Sequence, residues 1–429
     1  MTSSSFGVPT QYEVQEMKIG DEDVVGLFVS LSIYENIYTP CITGALTICD
    51  SEGAGFIDEK RIEFIEPITV SFKDADGTTL EFKGFLNGLR NEYIKDSLRY
   101  YAIDFNSESV RKNEETYIVK SFKDAKPKDI VEEMVEKLGG QLSEGQGQGL
   151  PMTYLASRRR PVDVIKYVLT HGLSQKTEAT EQGDNPEEEA KGTTGYLLWE
   201  TLDGFRFETV DEVNAGSVGT KHTDFNRRLN NRNLSMEDAK KSIMGVEFRQ
   251  LGDFQTKLRS GAFASKVISH DMDTGDYKEY YYYNRDNMTE KQKEALPEGS
   301  ITRYLSKPYS NQKFQAPQAC DPSKPSTGDQ SRKYLAQNEG RQNTFSDQTG
   351  EFTLYPQFKM RAGDVFECKL SKVKDEAGEN ADGGYDKKHS GRYIINQVAH
   401  HFFVDGKAYT VIKTNRSTIQ QDDTSSTKS

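Results

Sequence analysis

Two stretches far apart in this chain of 429 residues repeat one plan of strands and turns, and that repetition constrains the fold more than any single motif. The first runs from Ile62 to Phe105. It holds the apolar run Ile68-Thr69-Val70-Ser71-Phe72, a turn at Asp76-Gly77, and Gly84-Phe85-Leu86-Asn87. These lead to the aromatic run Leu98-Arg99-Tyr100-Tyr101-Ala102-Ile103-Asp104-Phe105. The second runs from Gly340 to Thr414. It holds Val365-Phe366-Glu367-Cys368-Lys369-Leu370, then Gly391-Arg392-Tyr393-Ile394-Ile395-Asn396. A turn at Asp405-Gly406 precedes Ala408-Tyr409-Thr410-Val411-Ile412. Like β-units at both ends of one chain point to a molecule that doubles its own symmetry. That suggests a ring more readily than a pocket.

Period-2 alternation predicts further strands over residues 11–19 and two more between Val24 and Cys49, broken near Asn36 and Pro40. About seven strands before residue 110 predict a closed or nearly closed antiparallel barrel. The period then changes. Pro127 opens a helix carrying Ile130, Val131, Met134, Val135 and Leu138, which Gly139-Gly140 ends. Pro161 opens a second helix that ends at Gly172, and Asp203-Gly204 predicts a hairpin between Tyr196–Glu200 and Phe205–Glu208. The polar, acidic stretch 174–191 reads as an exposed insertion, and 284–340 as long loops with one helix. The fold class predicted is β-rich α+β: two similar antiparallel β-barrel (tube) domains with an α/β middle domain inserted. The expected boundaries are 1–112 for the first barrel and 113–241 with 277–340 for the middle domain. The second, discontinuous barrel takes 242–276 with 341–416, and 417–429 is a disordered tail.

The 55 Lys and Arg against 67 Asp and Glu leave a net charge of −12, which argues against a protein that grips nucleic acid by its phosphates. The one basic run, Arg158-Arg159-Arg160, reads as a solvated helix entrance. Cys41, Cys49, Cys320 and Cys368 form no C-x-x-C pair and are expected as reduced thiols. No signal-like start or bilayer-length apolar run is present, so a soluble protein made in a cytoplasm, with no membrane span, is expected. Asp271-x-Asp273 with Gly275 lacks the closing Glu of a calcium loop and reads as a turn. Gly145, Gly147 and Gly149 lack the strand and Lys of a phosphate cradle. His400-His401 would face opposite sides of a strand, with His389 a loop away, which is poor chelating geometry. No serine elbow, zinc-helix or Walker pattern occurs. Catalytic, cofactor and metal residues are therefore all expected to be absent, and the chain is read as no enzyme. The five tyrosines between Tyr277 and Tyr283 read as alternating sheet residues rather than a glycan platform.

Three stretches nevertheless carry a resemblance. They are Met360-Arg361-Ala362-Gly363-Asp364-Val365 with Ser390 to His400, Ser157 to Ile165, and Phe254 to Asp271 with Arg259-Ser260-Gly261-Ala262-Phe263-Ala264-Ser265-Lys266. In pattern and order this sequence resembles the baseplate hub proteins of contractile-tailed phages over most of residues 10–415. The resemblance implies a homotrimer in which two barrels per chain make a pseudo-sixfold torus. Such a torus adapts a hexameric tail tube to a trimeric central spike in a virion assembled in the host cytoplasm. Tube-initiator, tape-measure and wedge proteins are the further partners it implies, with genome DNA passing the lumen unbound. The insertions at 174–193 and 310–340 look longer and more polar than a minimal hub needs. Three alternatives stand beside this one: the hub of a type VI secretion or phage-like injection machine, a virion enzyme that degrades cell wall, and a glycan-binding tail module using Tyr281.

Overall fold

The structure is a computed structural model that describes residues 8–416 except 51–54, 96–97, 144–148, 150, 175–194, 217–218, 228–234, 252–253, 273–274, 276, 285–287, 289, 298, 310–334, 346–347, 372–384 and 387. Seven strands precede residue 110, six of them where expected and the two-residue β2 not: β1 (Tyr12–Ile19), β2 (Glu22–Asp23), β3 (Phe28–Asn36), β4 (Thr43–Asp50), β5 (Pro67–Asp74), β6 (Thr79–Lys95) and β7 (Leu98–Ser107). Helix α1 (Phe56–Lys60) follows β4, where no helix is expected, and α2 (Glu108–Glu115) follows β7. Ile62 to Ile65, read as apolar strand sequence, is not a strand, and Phe64 has φ of 64° there.

The middle region opens with β8 (Ile118–Ala125), α3 (Pro127–Lys137), β9 (Met152–Arg159) and α4 (Pro161–His171). Both helices have proline in the first turn, where its missing N–H is harmless. The hairpin β10 (Tyr196–Thr201) and β11 (Gly204–Thr209) turns at Asp203, and α5 (Val210–Ala215) starts from it. A capping box fixes that start: Thr209 Oγ1 accepts the Glu212 N–H, and Glu212 accepts the Thr209 N–H at 3.0 Å. The inner faces of α3, α4, the antiparallel β8–β9 pair and the β10–β11 hairpin share one apolar core.

The chain then enters β12 (Lys221–Arg227), α6 (Met236–Lys240) and β13 (Ile243–Leu251). A small unit follows: α7 (Phe254–Ser260), β14 (Ala264–Asp271), β15 (Tyr277–Tyr283), α8 (Glu290–Ala295), β16 (Arg303–Tyr309) and α9 (Leu335–Phe345). The last strands are β17 (Gln348–Leu354), β18 (Val365–Leu370), β19 (Gly391–Phe403) and β20 (Ala408–Arg416). The boundary expected between 276 and 277 has to move, because it falls between β14 and β15. Those strands pair from Ala264↔Tyr283 to His270↔Tyr277 and form a sheet of their own with β16. Residues 221–227, expected in the middle region, instead pair with β18. The insertion at 174–193 and residues 310–334 of the second lie outside the described residues, apart from Ser174.

The duplication is more complete than the pattern of turns suggests. A 13-stranded sheet contains the order β3-β4-β7-β6-β5 and, beyond β19, the order β13-β17-β20-β19-β18. Strand for strand these match, every pairing within each set is antiparallel, and two of the register shifts recur at matched places. The register shift that skips Asn87 in β6 recurs at Asn396 in β19, and the one that skips Val29 in β3 recurs at Met244 in β13. Such bulges bend a strand locally. Thr43-Gly44-Ala45-Leu46-Thr47-Ile48 of β4 matches Thr349-Gly350-Glu351-Phe352-Thr353-Leu354 of β17, two hexamers reading Thr-Gly-x-apolar-Thr-apolar. A sixth pair breaks the rule: β1 runs antiparallel to β5, whereas β12 runs parallel to β18.

Isolated backbone contacts link the sixth strand of each set back towards its first, in the first set by way of β19, and each such series of strands is a circuit. In the first, β1 reaches the β19–β20 hairpin through the Gln11↔Lys407 bridge, with the Ala408 N–H donating to the Thr10 carbonyl at 2.8 Å. In the second, Asn226 of β12 bridges Ser242 beside β13, and its N–H donates to the Lys241 carbonyl at 3.1 Å. Two apolar cores fill the circuits.

Candidate functional site

The two circuits meet where β3 pairs antiparallel with β19, from Gln397↔Asn36 to Phe403↔Ser30. Side chains reinforce this ladder. Ser32 Oγ lies 2.8 Å from His401 Nδ1, and Tyr12 Oη donates to the Phe403 carbonyl at 2.7 Å. The Phe72 and Phe402 rings stack with centroids 3.8 Å apart, so the first core is sealed by a residue of the second half.

Alternation along β3 places Leu31, Ile33 and Glu35 on one inward face, and Glu35 is fully buried. An isolated carboxylate there would be prohibitively costly, and three partners hold it. Glu35 accepts the Leu202 N–H at 3.0 Å and the Ala362 N–H at 2.9 Å, and the Arg361 guanidinium lies 3.9 Å away. Burial nonetheless outweighs these donors and pushes the Glu35 carboxyl up to about 7. Arg361 clamps Asp203 at 2.9 and 3.1 Å and donates to the carbonyls of Phe358 and Met360.

The turn Met360-Arg361-Ala362-Gly363-Asp364 thus gathers three parts of the chain. Buried Asp364 accepts the N–H groups of Arg361 and Thr220, each at 3.0 Å, and Arg206 Nη1 at 3.1 Å; His222 Nε2 is 2.8 Å from it. Trp199 Nε1 donates to the Ala362 carbonyl at 2.9 Å. Gly363 has φ of 90°, and a Cβ there would fall 2.5 Å from the Trp199 ring, so only glycine fits. Two further polar joints flank this one. Glu200 of β10 accepts from Ser107 and Ser109 Oγ and from the Ile42 N–H, and burial raises its carboxyl. Lys240 of α6 is buried against Asp74 and Asp76 at the β5–β6 turn. The arrangement can lock β3, the β10–β11 turn and the start of β18 into one body.

The residues weighed in sequence are scattered. His400 is buried beside Thr410 and Phe358 and its ring is held neutral by burial, down to about 3, while His401 faces Ser32 and Tyr34. His389 pairs with Asp386 at 2.6 Å. Arg158 and Arg160 lie over the Tyr117 ring near the start of α4. Tyr282 packs with Val267 and Ala336 under α9, and Tyr281 donates to Glu279 on the other face. Asp273, Gly145 and Gly147 lie outside the described residues, as does Cys320. Among the described residues no group of three or more His, Cys, Asp or Glu could hold a metal ion, and no helix is long and apolar enough to cross a membrane. Sequence reasoning missed Glu35, Asp203 and Asp364 as joints. The available signal was an acidic residue in phase with Leu31 and Ile33.

No family model and no curated protein sequence matches this chain. Solved structures do. The prophage MuSo2 43 kDa tail protein from Shewanella oneidensis aligns with a TM-score of 0.51 at 12% identity, over 94% of this chain and 98% of that one. A tail protein from Neisseria meningitidis MC58 aligns with a TM-score of 0.53 at 10% identity, over 95% and 97%. E. coli c3393, a type VI secretion component described as structurally similar to the T4 bacteriophage tail proteins gp27 and gp5, aligns at 0.41 and 8% identity, over 94% and 76%. The chain is thus a mostly antiparallel β-protein with few helices that shares its fold with phage tail proteins.

Proposed function

We propose that this protein is a structural hub of a contractile phage tail. Three copies form a ring of six like β-circuits that adapts a sixfold tube to a threefold spike. The observation that carries this reading is the duplicated strand order with its matching bulges, because two equivalent units per chain give three chains six equivalent positions. The fold shared with phage tail proteins over nearly their whole length supports a place in a tail. On this reading the partners are two further copies, the spike, and tube or tube-initiator proteins, with tape-measure and wedge proteins beyond them. DNA passes the lumen without being held, as like charge favours. The division into first tube, inserted middle region and second tube belongs to this reading, with the middle region ending before β12. The role is mechanical and no covalent chemistry is assigned to it.

The test is the mass of the purified protein in solution, alone and with a candidate spike, followed by electron microscopy of the complex. Three copies around an open channel with six lobes is the expected result. A monomer under both conditions, or a closed lump without a channel, would sink the proposal.

A further inference from the structure

The junction inside the chain has an unused counterpart. In the matched strand orders β19 corresponds to β6 and β3 corresponds to β13, so the counterpart of the β19–β3 ladder is a ladder between β6 and β13. Both strands offer a free edge for it. β5 covers β6 only as far as Phe85, while β7 continues to Lys95. Gly88 to Lys95 therefore has one edge that no described strand pairs. β13 ends the sheet order and pairs along one edge, with β17. Within one chain β17, β20, β19, β3, β4 and β7 lie between them in that order, and no described pairing joins the two edges, which leaves both open to a second copy.

Resting on the ring reading above, we propose that Gly88–Lys95 of β6 pairs antiparallel with β13 of a second copy, so that the internal seam is repeated from chain to chain. The register follows from the matched partners. Phe402 pairs with Leu31; through Ala408 and Arg99 the place of Phe402 is taken by Ile94, and through Leu46 and Phe352 that of Leu31 is taken by Val246. Ile94 then faces Val246, Tyr93 faces Glu247 and Lys95 faces Gly245. Beyond Tyr93 each strand departs from its counterpart by one extra residue. β6 shifts register between Arg90 and Tyr93, and β13 between Phe248 and Gln250. Both extra residues fall at the same place in the proposed ladder, so they offset each other and Arg90 faces Gln250 without a break. Independent edges have no reason to share that irregularity. The free stretch also carries large apolar side chains in solvent, Ile94 at 69% and Tyr93 at 54% exposure. A long uncapped edge invites pairing, and a head-to-tail contact of this kind closes into a ring when its rotation allows.

Directly opposed residues in an antiparallel ladder have Cα atoms about 4.5–5.5 Å apart, within the reach of a disulfide. Protein carrying only Ile94→Cys is mixed with protein carrying only Val246→Cys and oxidised; each variant alone, with the native cysteines intact, is the control. The expected product is a covalent dimer in the mixture well above both controls, and a covalent trimer in the double variant. Hydrogen exchange on the unmodified protein provides a second readout, with residues 88–95 and 243–251 protected in the assembly and released on dilution. A trimeric mass without cross-linking above controls and without that protection would overturn the seam and leave the ring reading standing. A monomer at every concentration would overturn both.

Discussion

Replacing Glu35 by Gln tests whether the buried joint is an ionisable one. The Glu35 carboxyl sits at about 7 in the folded chain against 4.5 for an ordinary glutamate, and burial is the main cause. Between those values the folded state binds a proton that the unfolded state has released. Stability conferred by this group is therefore fully present below pH 4.5 and is lost as pH rises to 7. At about 1.4 kcal/mol per pH unit, the loss over that window is about 3 kcal/mol. The buried His400 acts in the opposite sense. Its ring is depressed from 6.5 to about 3, so its contribution grows with pH across that range and masks Glu35 in the native protein. The difference between native protein and Glu35→Gln removes this masking. Glutamine can accept only one of the two N–H groups that Glu35 accepts, which adds an offset of about 1–3 kcal/mol at every pH. The assay is urea unfolding of both proteins at fixed concentration from pH 4.5 to 8. The advantage of the native protein should shrink by about 3 kcal/mol up to pH 7 and then level off. A pH-independent difference would refute the claim that Glu35 ionises inside the joint.

Arg361→Met keeps the packing volume and removes the cation beside Glu35; it should cost about 3–5 kcal/mol at pH 8 in the same urea assay and less at pH 5, where Glu35 is protonated. Equal costs at the two pH values would mean that the charge pair is not what Arg361 supplies. Gly44→Ala should cost more than Gly350→Ala in thermal unfolding, although the two glycines are equivalent positions. The added Cβ at 44 falls 2.2 Å from the Phe105 ring and 2.6 Å from the Ser32 carbonyl, a backbone atom, against 2.9 Å from the Phe352 ring and no backbone contact as close at 350. The reverse order would show that the first circuit relaxes more easily than its contacts imply.

What could be read in sequence was whatever a local period or turn encodes. Six of the seven strands before residue 110 (all but the short β2), both proline-started helices and the Asp203 hairpin follow from spacing alone. The similarity of the two ends shows in their turns, and most sharply in the Thr-Gly-x-apolar-Thr-apolar hexamer, whose two copies lie 306 positions apart and carry no turn signal of their own. β8 and β9 were missed because each is interrupted by bulges, with Asp124 and Arg158 at positive φ, so neither alternates cleanly. β12 and β16 were missed because a strand paired at one or two edges by distant segments needs little local signal. The joint residues were harder still. Nothing local distinguishes Asp203, half-exposed at a turn, from any other turn aspartate; its role appears only when Arg361, 158 positions later, folds back to it.

The duplication does not make two independent domains, and that bears on how such a molecule could transmit load. The first core includes Phe358, Phe402 and Ala408, all from the second half, and the β3–β19 ladder is continuous with both circuits. Cutting the chain between the units would expose an apolar face on each and leave Glu35 without Ala362 and Arg361. Each buried phenylalanine at that face contributes on the order of 2 kcal/mol, so neither half gains by separating. A force applied to one circuit is carried into the other through backbone hydrogen bonds, not through a flexible linker. If the same ladder recurs between chains, it joins all six positions of the proposed ring by one kind of bond. The proposed ring would then deform as a unit, as the proposed coupling of a sixfold tube to a threefold spike requires.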